Sequence, residues 1–353
     1  VDEGPAASLV PPPKWTLVAR DAFNGVVLWK KRVGPWEGVL RPFRSGPTEL
    51  ARRLVAIGDR VYVTLGYGKP VTALDAATGK TVRTYAETAD AVEILCHDGV
   101  LYVVVGTIHP DRYAESRRRG AASPPPREKA VVAVDTMTGE VVWKKSDADS
   151  SELLPATLCV ADGQVFFQGT KQLICLDAGT GQVKWKAPRP VRTDRVSWSA
   201  PTLVVHDDVV LSADCAVPAA ARGRGDARVK WAVTPRPKRG EDSEGELIAF
   251  STADGKELWR CLTAQGYNAP ADLFVADGLV WASYAPGRNT VDFTEGRDLH
   301  TGEVKRRLET ELAFTETHHH RCYRNKATDR FILLGRTGVE LIDLDGAKPV
   351  RHC

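Results

Sequence analysis

One short phrase recurs along the chain: an aspartate, two further residues, Thr-Gly, three residues and then tryptophan. The complete copies are Asp135 to Gly139 followed by Trp143, and Asp177 to Gly181 followed by Trp185. Phrases that recur in this way are typical of proteins built from stacked repeats, because each copy marks the same position of one repeat. This repetition constrains the fold more than any other feature of the sequence.

Five further copies are incomplete, and they show which positions of the phrase vary. Two keep the tryptophan with a looser turn, and two keep the turn but have arginine in place of tryptophan. In chain order the incomplete copies are Asp21 to Gly25 with Trp29, Asp75 to Gly79 with Arg83, Ser251 to Gly255 with Trp259, Asp298 to Gly302 with Arg306, and a degenerate copy at Ile342 to Gly346. Successive copies begin 42 to 74 residues apart. The shorter intervals have the length of a four-stranded repeat, and the longer ones indicate insertions.

Each copy has the residue types of a tight turn between two β-strands. Aspartate accepts hydrogen bonds from backbone amides two residues further on, and glycine adopts the positive φ that such turns need. A second turn precedes most copies and joins two β-rich segments, as Asp162-Gly163 does within Leu158 to Phe167. The sequence therefore predicts units of four short strands, in which tryptophan offers a large flat surface for packing between neighbouring sheets.

The stretch from Ala133 to Trp143 resembles the tryptophan-docking repeat of the quinoprotein-type, PQQ-like β-propeller family, named after pyrroloquinoline quinone (PQQ). This resemblance extends over residues 17–350. It implies an all-β fold, a β-propeller of four-stranded antiparallel blades stacked on one another. The copies predict about seven blades, with six or eight as alternatives. Residues 17–31 supply only the last two strands of a blade.

The propeller is expected to occupy residues 17–353, after an irregular N-terminal segment at residues 1–16. Two inserted loops, residues 108–128 and 216–246, interrupt the repeat pattern between the second and third strands of their blades. Both are rich in basic residues and proline, which favours solvated loops because such segments bury little apolar area. The alternative is a basic lip that binds an anionic partner.

Charge and composition narrow the classes of function. The chain has 353 residues, with 48 Lys and Arg against 45 Asp and Glu, so its net charge is +3. This near balance argues against nucleic acid as a partner. The absence of a run of about 18 apolar residues argues against a membrane span. The chain starts without methionine, and we expect it to be a piece of a longer protein; its compartment is unknown, although the resemblance favours an extracytoplasmic, periplasmic location.

The densest group of metal-binding residue types is the run from His318 to Tyr323. In a β-strand, His318, His320 and Cys322 would point to one side, because alternate residues share a face. Two imidazoles and a thiolate suit zinc or copper, so these three residues are a candidate metal site. The alternative is a structural or incidental cluster, since a fourth ligand would have to come from elsewhere in the fold.

Three hypotheses of function remain open. The first is a non-enzymatic propeller that acts as a protein-interaction or scaffolding domain, as the resemblance to outer-membrane assembly lipoproteins implies. The second is a PQQ- and calcium-dependent dehydrogenase; the adjacent cysteine pair that often accompanies the quinone in that family does not occur here. The third is a substrate-positioning or metal-binding propeller attached to a catalytic domain elsewhere in a longer polypeptide. We assign no catalytic residue, because no nucleophile-elbow, P-loop, metalloprotease or dinucleotide motif is found.

Overall fold

The computed structural model describes residues 15–34, 52–107, 127–191, 201–215, 244–264, 272–282, 295–308, 325–334, 339–345 and 349–352. Within these ranges the chain is almost entirely β-strand. It divides into two compact units, Val1–Pro155 with Gly179–Gly181, and Ala156–Ala178 with Gln182–Cys353. None of the helices in the described residues is long and apolar enough to cross a membrane.

In its described residues, the first unit contains ten strands, a short α-helix and a 3-10 turn. The two-stranded sheet is formed by β1 (Thr16–Arg20) and β2 (Val27–Arg32). The next sheet contains β3 (Leu54–Ile57), β4 (Arg60–Thr64), β5 (Val71–Asp75) and β6 (Thr81–Tyr85), followed by the 3-10 turn Ala86–Thr88. The third sheet contains β7 (Ala91–His97), β8 (Val100–Thr107), β9 (Arg127–Asp135) and β10 (Val141–Lys145), and the helix α1 (Ala148–Ser151) follows it.

The described part of the second unit contains sixteen strands in four sheets. The first two sheets consist of β11 (Cys159–Ala161), β12 (Gln164–Gln168), β13 (Gln172–Asp177) and β14 (Val183–Pro188), and of β15 (Thr202–His206), β16 (Val209–Cys215), β17 (Glu244–Ser251) and β18 (Glu257–Ala264). The last two consist of β19 (Leu273–Ala276), β20 (Leu279–Ala282), β21 (Glu295–Asp298) and β22 (Val304–Arg307), and of β23 (Lys326–Ala327), β24 (Phe331–Leu334), β25 (Val339–Asp343) and β26 (Pro349–His352).

Every four-stranded sheet has its strands in chain order, and every neighbouring pair is antiparallel. The described residues form six sheets of four strands and one of two. The prediction of an all-β propeller of four-stranded antiparallel blades, about seven in number, is therefore confirmed. In the described residues the shorter sheet consists of β1 and β2, which correspond to the last two strands of a blade.

The Asp-x-x-Thr-Gly phrase forms the turn between the third and fourth strands. In the turn after β5, Asp75 Oδ1 accepts hydrogen bonds from the backbone N–H and the hydroxyl of Thr78, at 2.8 and 2.7 Å. The N–H of Gly79 donates to the Asp75 carbonyl, and Gly79 has φ +69°. These bonds hold the pKa of Asp75 below its usual range, the Thr78 hydroxyl having the largest effect. The same arrangement lowers the pKa of Asp135 and Asp298.

The tryptophan of each copy packs on the glycine turn of the next sheet. Trp29 Nε1 donates to the carbonyl of Ala76 at 2.8 Å, and its ring covers Gly79 so closely that a Cβ there would lie 2.6 Å from a ring carbon. Trp185 and Trp259 make the same 2.8 Å bond to Thr252 and Leu299. The sequence phrase therefore marks the contact that stacks one sheet on the next.

Arginine keeps this contact where tryptophan is missing. Arg306 Nη1 donates to the carbonyl of Leu344 at 2.7 Å, the position that the indole reaches elsewhere. Arg83 Nη1 donates to the carbonyl of Thr138 at 2.8 Å, while the hydroxyl of Tyr85 donates to Thr136. A guanidinium has a planar face and several donors. Arg306 therefore replaces the N–H of the indole, while Arg83 covers Gly139 and the hydroxyl of Tyr85 makes the bond to the carbonyl after the aspartate. Leu344 follows Asp343 as Ala76 follows Asp75, so the bond supports the described part of the degenerate copy, residues 342–345.

The core lies on the inner strands of each sheet. Second and third strands are buried along most of their length, as the patterns of β12 and β13 show. Fourth strands alternate exposed and buried residues, because only one of their faces packs on a neighbouring sheet. In the first unit the core includes Tyr62, Tyr85 and Val103.

The connections of each sheet leave from two opposite ends, because the strands are antiparallel. The first-to-second and third-to-fourth turns lie at one end, and all other connections leave from the other end. The predicted inserted loops 108–128 and 216–246 fall mostly outside the described residues. Strands β9 and β17 begin at Arg127 and Glu244, so the third strands start inside the predicted loop bounds.

Candidate interaction surface

The residues predicted to bind metal, His318, His320 and Cys322, lie outside the described residues, and the metal site stays a prediction. In the part of the chain that the structure does describe, no three His, Cys, Asp or Glu side chains are placed to hold a metal ion. The basic runs of the two inserted loops lie largely outside the described ranges as well. Cys175 is fully buried, and burial raises the pKa of its thiol to about 12.

A buried polar network occupies the second unit, beyond the end of β14. Arg189 donates to Glu246 Oε2 at 2.7 Å and to the hydroxyl of Ser212 at 3.1 Å. Gln168 Nε2 donates to the Arg189 carbonyl, and Ser212 Oγ bonds to Gln168 Oε1. Burial lowers the pKa of Arg189, while the charges of Asp214 and Glu246 oppose this shift.

This network joins two neighbouring sheets of the second unit. Arg189 follows the first of them, and both of its acidic or hydroxyl partners lie on strands β16 and β17 of the second. Glu246 also accepts from Arg260 Nη1 at 3.0 Å, which carries the network to the fourth strand β18. Because the guanidinium is satisfied by protein groups on several sides, we assign it a structural role.

The outer fourth strands share a β-bulge that the sequence motifs did not predict. In six of the sheets, the ladder between third and fourth strands shifts by one residue directly before the docking Trp or Arg. The extra residue forms a β-bulge, which takes no place in the ladder. The bulge residues are Leu28, Val82, Val142, Lys184, Leu258 and Lys305.

The bulge residues of the first unit are all aliphatic and exposed. Leu28, Val82 and Val142 expose 53%, 51% and 47% of their surface. We call these three residues the bulge surface. In the second unit the same position holds lysine in two of three sheets, Lys184 and Lys305. The fold therefore accepts a charged residue at this position, and packing does not require the aliphatic residues of the first unit.

The surroundings of the bulge surface are both apolar and basic. Val27 and Val141 directly precede two of its residues and are exposed too. Lys30 and Lys144 follow two residues after Leu28 and Val142 and are also exposed. Lysines on an outer strand discourage edge-to-edge aggregation, while exposed aliphatic residues give a partner an apolar contact. This arrangement fits a protein with apolar side chains and an acidic rim.

The chain is similar to a known protein family and to several solved structures. The model of the family described as outer membrane protein assembly factor BamB matches residues 14–231. Among solved structures, BamB from Moraxella catarrhalis is 16% identical with a TM-score of 0.50, over 92% of this chain and 75% of that chain. No curated protein matches the sequence.

Two further solved structures are similar at lower scores. A quinohemoprotein alcohol dehydrogenase, ADHIIG from Pseudomonas putida HK5, is 13% identical with a TM-score of 0.40, over 82% of this chain and 51% of that chain. Hydrazine synthase from Kuenenia stuttgartiensis is 12% identical with a TM-score of 0.47, over 82% and 74% of the two chains. At these identities the structural likeness concerns the fold alone.

Proposed function

Because the chain belongs to the family of the outer membrane protein assembly factor BamB, we propose that it is a non-enzymatic propeller that binds a partner protein. Its bulge surface, Leu28, Val82 and Val142, would contact that partner. The sheets act as a rigid scaffold that presents these residues at equivalent positions of successive blades. By analogy with this family, whose name refers to the outer membrane, we propose that the protein acts outside the cytoplasm.

The observation that carries this proposal is the contrast between the bulge residues of the two units. Lysine at Lys184 and Lys305 shows that a charged residue fits a bulge without loss of the sheet. Three aliphatic residues in the first unit therefore expose apolar area that the fold does not need. Val27 with Leu28 and Val141 with Val142 form pairs of exposed apolar residues. Exposed apolar residues that lie side by side are typical of protein-binding sites.

A crosslinking experiment tests the proposal. A photo-crosslinking amino acid at position 82, introduced into the intact protein in its native host, is expected to capture one defined partner protein. With the crosslinker at position 141 in both proteins, the triple variant Leu28→Lys/Val82→Lys/Val142→Lys is expected to give about tenfold less of that adduct than wild type, because three lysines replace the apolar contact. Its melting temperature is expected to stay within about 2 °C of wild type, since exposed positions contribute little to stability.

The matched control is Leu258→Lys, which places the same charge at the aliphatic bulge residue of the second unit. This variant is expected to keep the adduct at its wild-type yield. An unchanged adduct in the triple variant would refute the bulge surface as the binding site. Loss of the adduct in both variants would show a general effect of added charge instead.

The other hypotheses of function have their own tests. A PQQ- and calcium-dependent dehydrogenase stays a prediction; a bound quinone spectrum together with dye-linked alcohol oxidation after incubation with PQQ and Ca²⁺ would contradict the non-enzymatic proposal. A catalytic domain fused to the propeller is the second kind of partner that we propose. The mass of the intact natural polypeptide distinguishes it from a separate partner protein.

A further inference from the structure

We propose that Asn24, in the turn between β1 and β2, is a site of non-enzymatic deamidation, that the intact turn slows this reaction, and that the turn accepts only the aspartate product. The reaction involves the hairpin alone, so it does not depend on the proposed partner protein. Three features support it: the residue that follows Asn24, the hydrogen bonds of the turn, and the equivalent turn of another sheet.

Asn24 is followed by glycine and is exposed, which together favour deamidation. Asparagine is one of the labile side chains of proteins. Glycine makes it more so, because glycine lacks the Cβ that would hinder attack by its own backbone nitrogen. The other asparagine of the described residues, Asn325, precedes lysine and is 4% exposed. Of these two asparagines, only Asn24 has both access to water and the neighbour that the reaction needs.

The reaction has two steps, and water is its co-reactant. First, the backbone nitrogen of Gly25 loses its proton to the solvent and attacks Cγ of Asn24. The Cγ–Nδ2 bond breaks, and Nδ2 takes up a proton and leaves as ammonia, which closes a succinimide ring. Water then opens the ring. Attack at the side-chain carbonyl gives aspartate, and attack at the main-chain carbonyl gives isoaspartate, whose main chain is longer by one carbon atom.

The turn holds both reacting groups in hydrogen bonds. The N–H of Gly25 donates to the carbonyl of Asp21 at 3.0 Å, and the N–H of Val26 donates to Asn24 Oδ1 at 2.8 Å. The N–H groups of Phe23 and Asn24 donate to Asp21 Oδ1, each at 3.0 Å. The Gly25 nitrogen therefore becomes available to the Asn24 side chain when the turn opens, and the frequency of opening limits the rate.

The sheet of β15 to β18 contains aspartate at the equivalent position. Its repeated turn runs from Ser251 to Gly255, with Asp254 in the place of Asn24. Asp254 Oδ1 accepts from the N–H of Lys256 at 3.0 Å, as Asn24 Oδ1 accepts from the corresponding N–H of its own turn. The N–H of Gly255 donates to the carbonyl of Ser251 at 3.0 Å. The same turn therefore forms with a carboxylate as with an amide at this position.

Aspartate at this position is also compatible with docking of the tryptophan that follows. Trp259 comes after the turn of Asp254, and it keeps the 2.8 Å bond to the carbonyl of Leu299. The backbone N–H of Lys256 lowers the pKa of Asp254, so the turn favours the charged form. Deamidation to aspartate therefore changes mainly the charge of the hairpin. Residues 15–34 contain four basic residues and one aspartate, a net charge of +3, which a second carboxylate lowers to +2.

Isoaspartate does not fit the turn in this way. Gly25 has φ +73°, and its N–H reaches the carbonyl of Asp21 across a turn of fixed length. An additional carbon atom in the main chain before Gly25 displaces this N–H and shifts β2 relative to β1. Trp29 lies on β2, so its bond to the carbonyl of Ala76 is weakened as well. The isoaspartate product therefore disturbs both the turn and the docking contact.

Incubation of the purified intact protein tests the site. Peptide mapping by mass spectrometry is expected to show the mass gain of an amide-to-acid conversion at Asn24, with Asn325 unchanged. A synthetic peptide of residues 20–28, which has the same Asn-Gly pair without the sheet, is expected to react about tenfold faster than the protein. Mapping of the mass gain is required because Asp-Gly pairs such as Asp98-Gly99 also form isoaspartate, without a change of mass.

Two variants separate the effect of the turn from that of the Asn-Gly pair. Asp21→Ala removes the carboxylate that accepts from Phe23 and Asn24, and it is expected to speed deamidation of the protein about fivefold. The same substitution in the peptide is expected to change the rate little, because the peptide has no stable turn. Asn24→Thr supplies the residue type that Thr78 has in the next sheet, and it is expected to abolish the mass gain.

The two products are compared directly. Asn24→Asp has the aspartate product at every molecule, and it is expected to melt within about 2 °C of wild type. Aged protein with isoaspartate at position 24, separated by chromatography, is expected to melt below wild type. Hydrogen exchange of its Gly25 amide is expected to be about tenfold faster, because the bond to Asp21 is lost.

Each result decides the proposal. A peptide that reacts fully while the folded protein shows no mass gain at position 24 would overturn Asn24 as a site in the native protein. Equal rates in protein and peptide would overturn the protection by the turn. Equal destabilisation by Asn24→Asp and by isoaspartate would overturn the selective fit. None of these measurements uses a partner protein, so failure of the crosslinks at position 82 leaves them intact.

Discussion

Lys129 is a lysine whose side chain is almost completely buried. It lies near the start of β9, and 4% of its surface is exposed. Burial disfavours the charged ammonium and lowers the pKa of Lys129 to about 8, although the carboxylate of Glu152 opposes this shift. At neutral pH the folded protein therefore carries a cation that its surroundings accept poorly.

Replacing this lysine is expected to stabilise the protein. In the unfolded chain a lysine titrates near pH 10.4, so between about pH 8 and 10.4 the unfolded state binds more protons and stability rises with pH. The full penalty applies below about pH 8. Lys129→Met should raise the free energy of unfolding at pH 7 by about 1–3 kcal/mol and flatten its rise above pH 8. Urea denaturation at pH 7, 8.5 and 10 measures both effects.

Lys145 provides a matched control in the same sheet. It is also buried, but its ammonium donates to Asp147 at 2.6 Å and lies 3.5 Å from Asp149. Lys145→Met leaves these carboxylates without their cation, and the expected result is a loss of stability at pH 7. Equal stabilisation by both substitutions would show that added apolar area, rather than the buried charge of Lys129, is responsible.

At the scale of strands and sheets, the glycine of each repeated turn has two separate requirements. Gly255 has φ +73°, which side chains adopt at a cost, and a Cβ there would lie 2.5 Å from Trp185 Cε3. Gly163 has nearly the same φ, +69°, with no atom within 4 Å of an added Cβ. The first requirement belongs to the turn alone, and the second belongs to the stacking of neighbouring sheets.

This pair of glycines separates backbone strain from the docking contact. Gly163→Ala is expected to lower the free energy of unfolding by about 1–2 kcal/mol, the cost of the left-handed conformation. Gly255→Ala adds a clash with the indole and should lose a further 1–3 kcal/mol or so. Urea denaturation measures both losses, and near-ultraviolet circular dichroism should change for Gly255→Ala alone. Equal losses would mean that the indole moves aside without cost.

The elements that sequence predicts well are those that a local pattern specifies. The turn after Asp135 uses contacts within five residues, so its residue types identify it along the chain. The equivalence of Arg83 and Arg306 to tryptophan was not predicted, because their bonds join residues 55 and 38 positions apart. The bulge residues were also missed, although one signal was present: they directly precede the docking side chain in each copy.

The two-stranded sheet of β1 and β2 lies between these cases. The sequence predicts that residues 17–31 supply only two strands, because no earlier strand pair precedes them in the pattern. It does not predict that Leu54 and Ile57 of β3, which belong to the next sheet, are 38% and 49% exposed. That exposure depends on how first strands of successive sheets contact one another, which the repeat phrase does not encode.

On the scale of the whole molecule, each repeated turn makes a small contribution to stability through its aspartate, and the copies add these contributions together. Asp75, Asp135 and Asp298 each cap a turn of their own sheet through threonine, and each has a lowered pKa. All three residues are partly exposed, so the change of one is hard to measure against solvent screening. Because they lie in three different sheets and share no partners, their contributions should add.

This sum predicts how the protein responds to acid. An aspartate whose pKa is lower in the folded state contributes its full stabilisation above about pH 3.9, and this contribution is lost as pH falls through the folded value. Asparagine cannot titrate but still accepts hydrogen bonds through its side-chain oxygen. The triple variant Asp75→Asn/Asp135→Asn/Asp298→Asn should therefore melt slightly below wild type at pH 7 and lose less between pH 4 and 2.

Aspartates of the other turns make the comparison specific. Asp98, Asp162 and Asp207 lie in first-to-second-strand turns with positive φ, which asparagine also adopts readily. Replacing these three by asparagine changes the net charge by the same amount without touching the threonine-capped turns. The control should therefore keep the wild-type loss of melting temperature between pH 4 and 2. If both triple variants flattened the acid response equally, the overall reduction of charge would explain it, and the repeated turn would have no special part in acid stability.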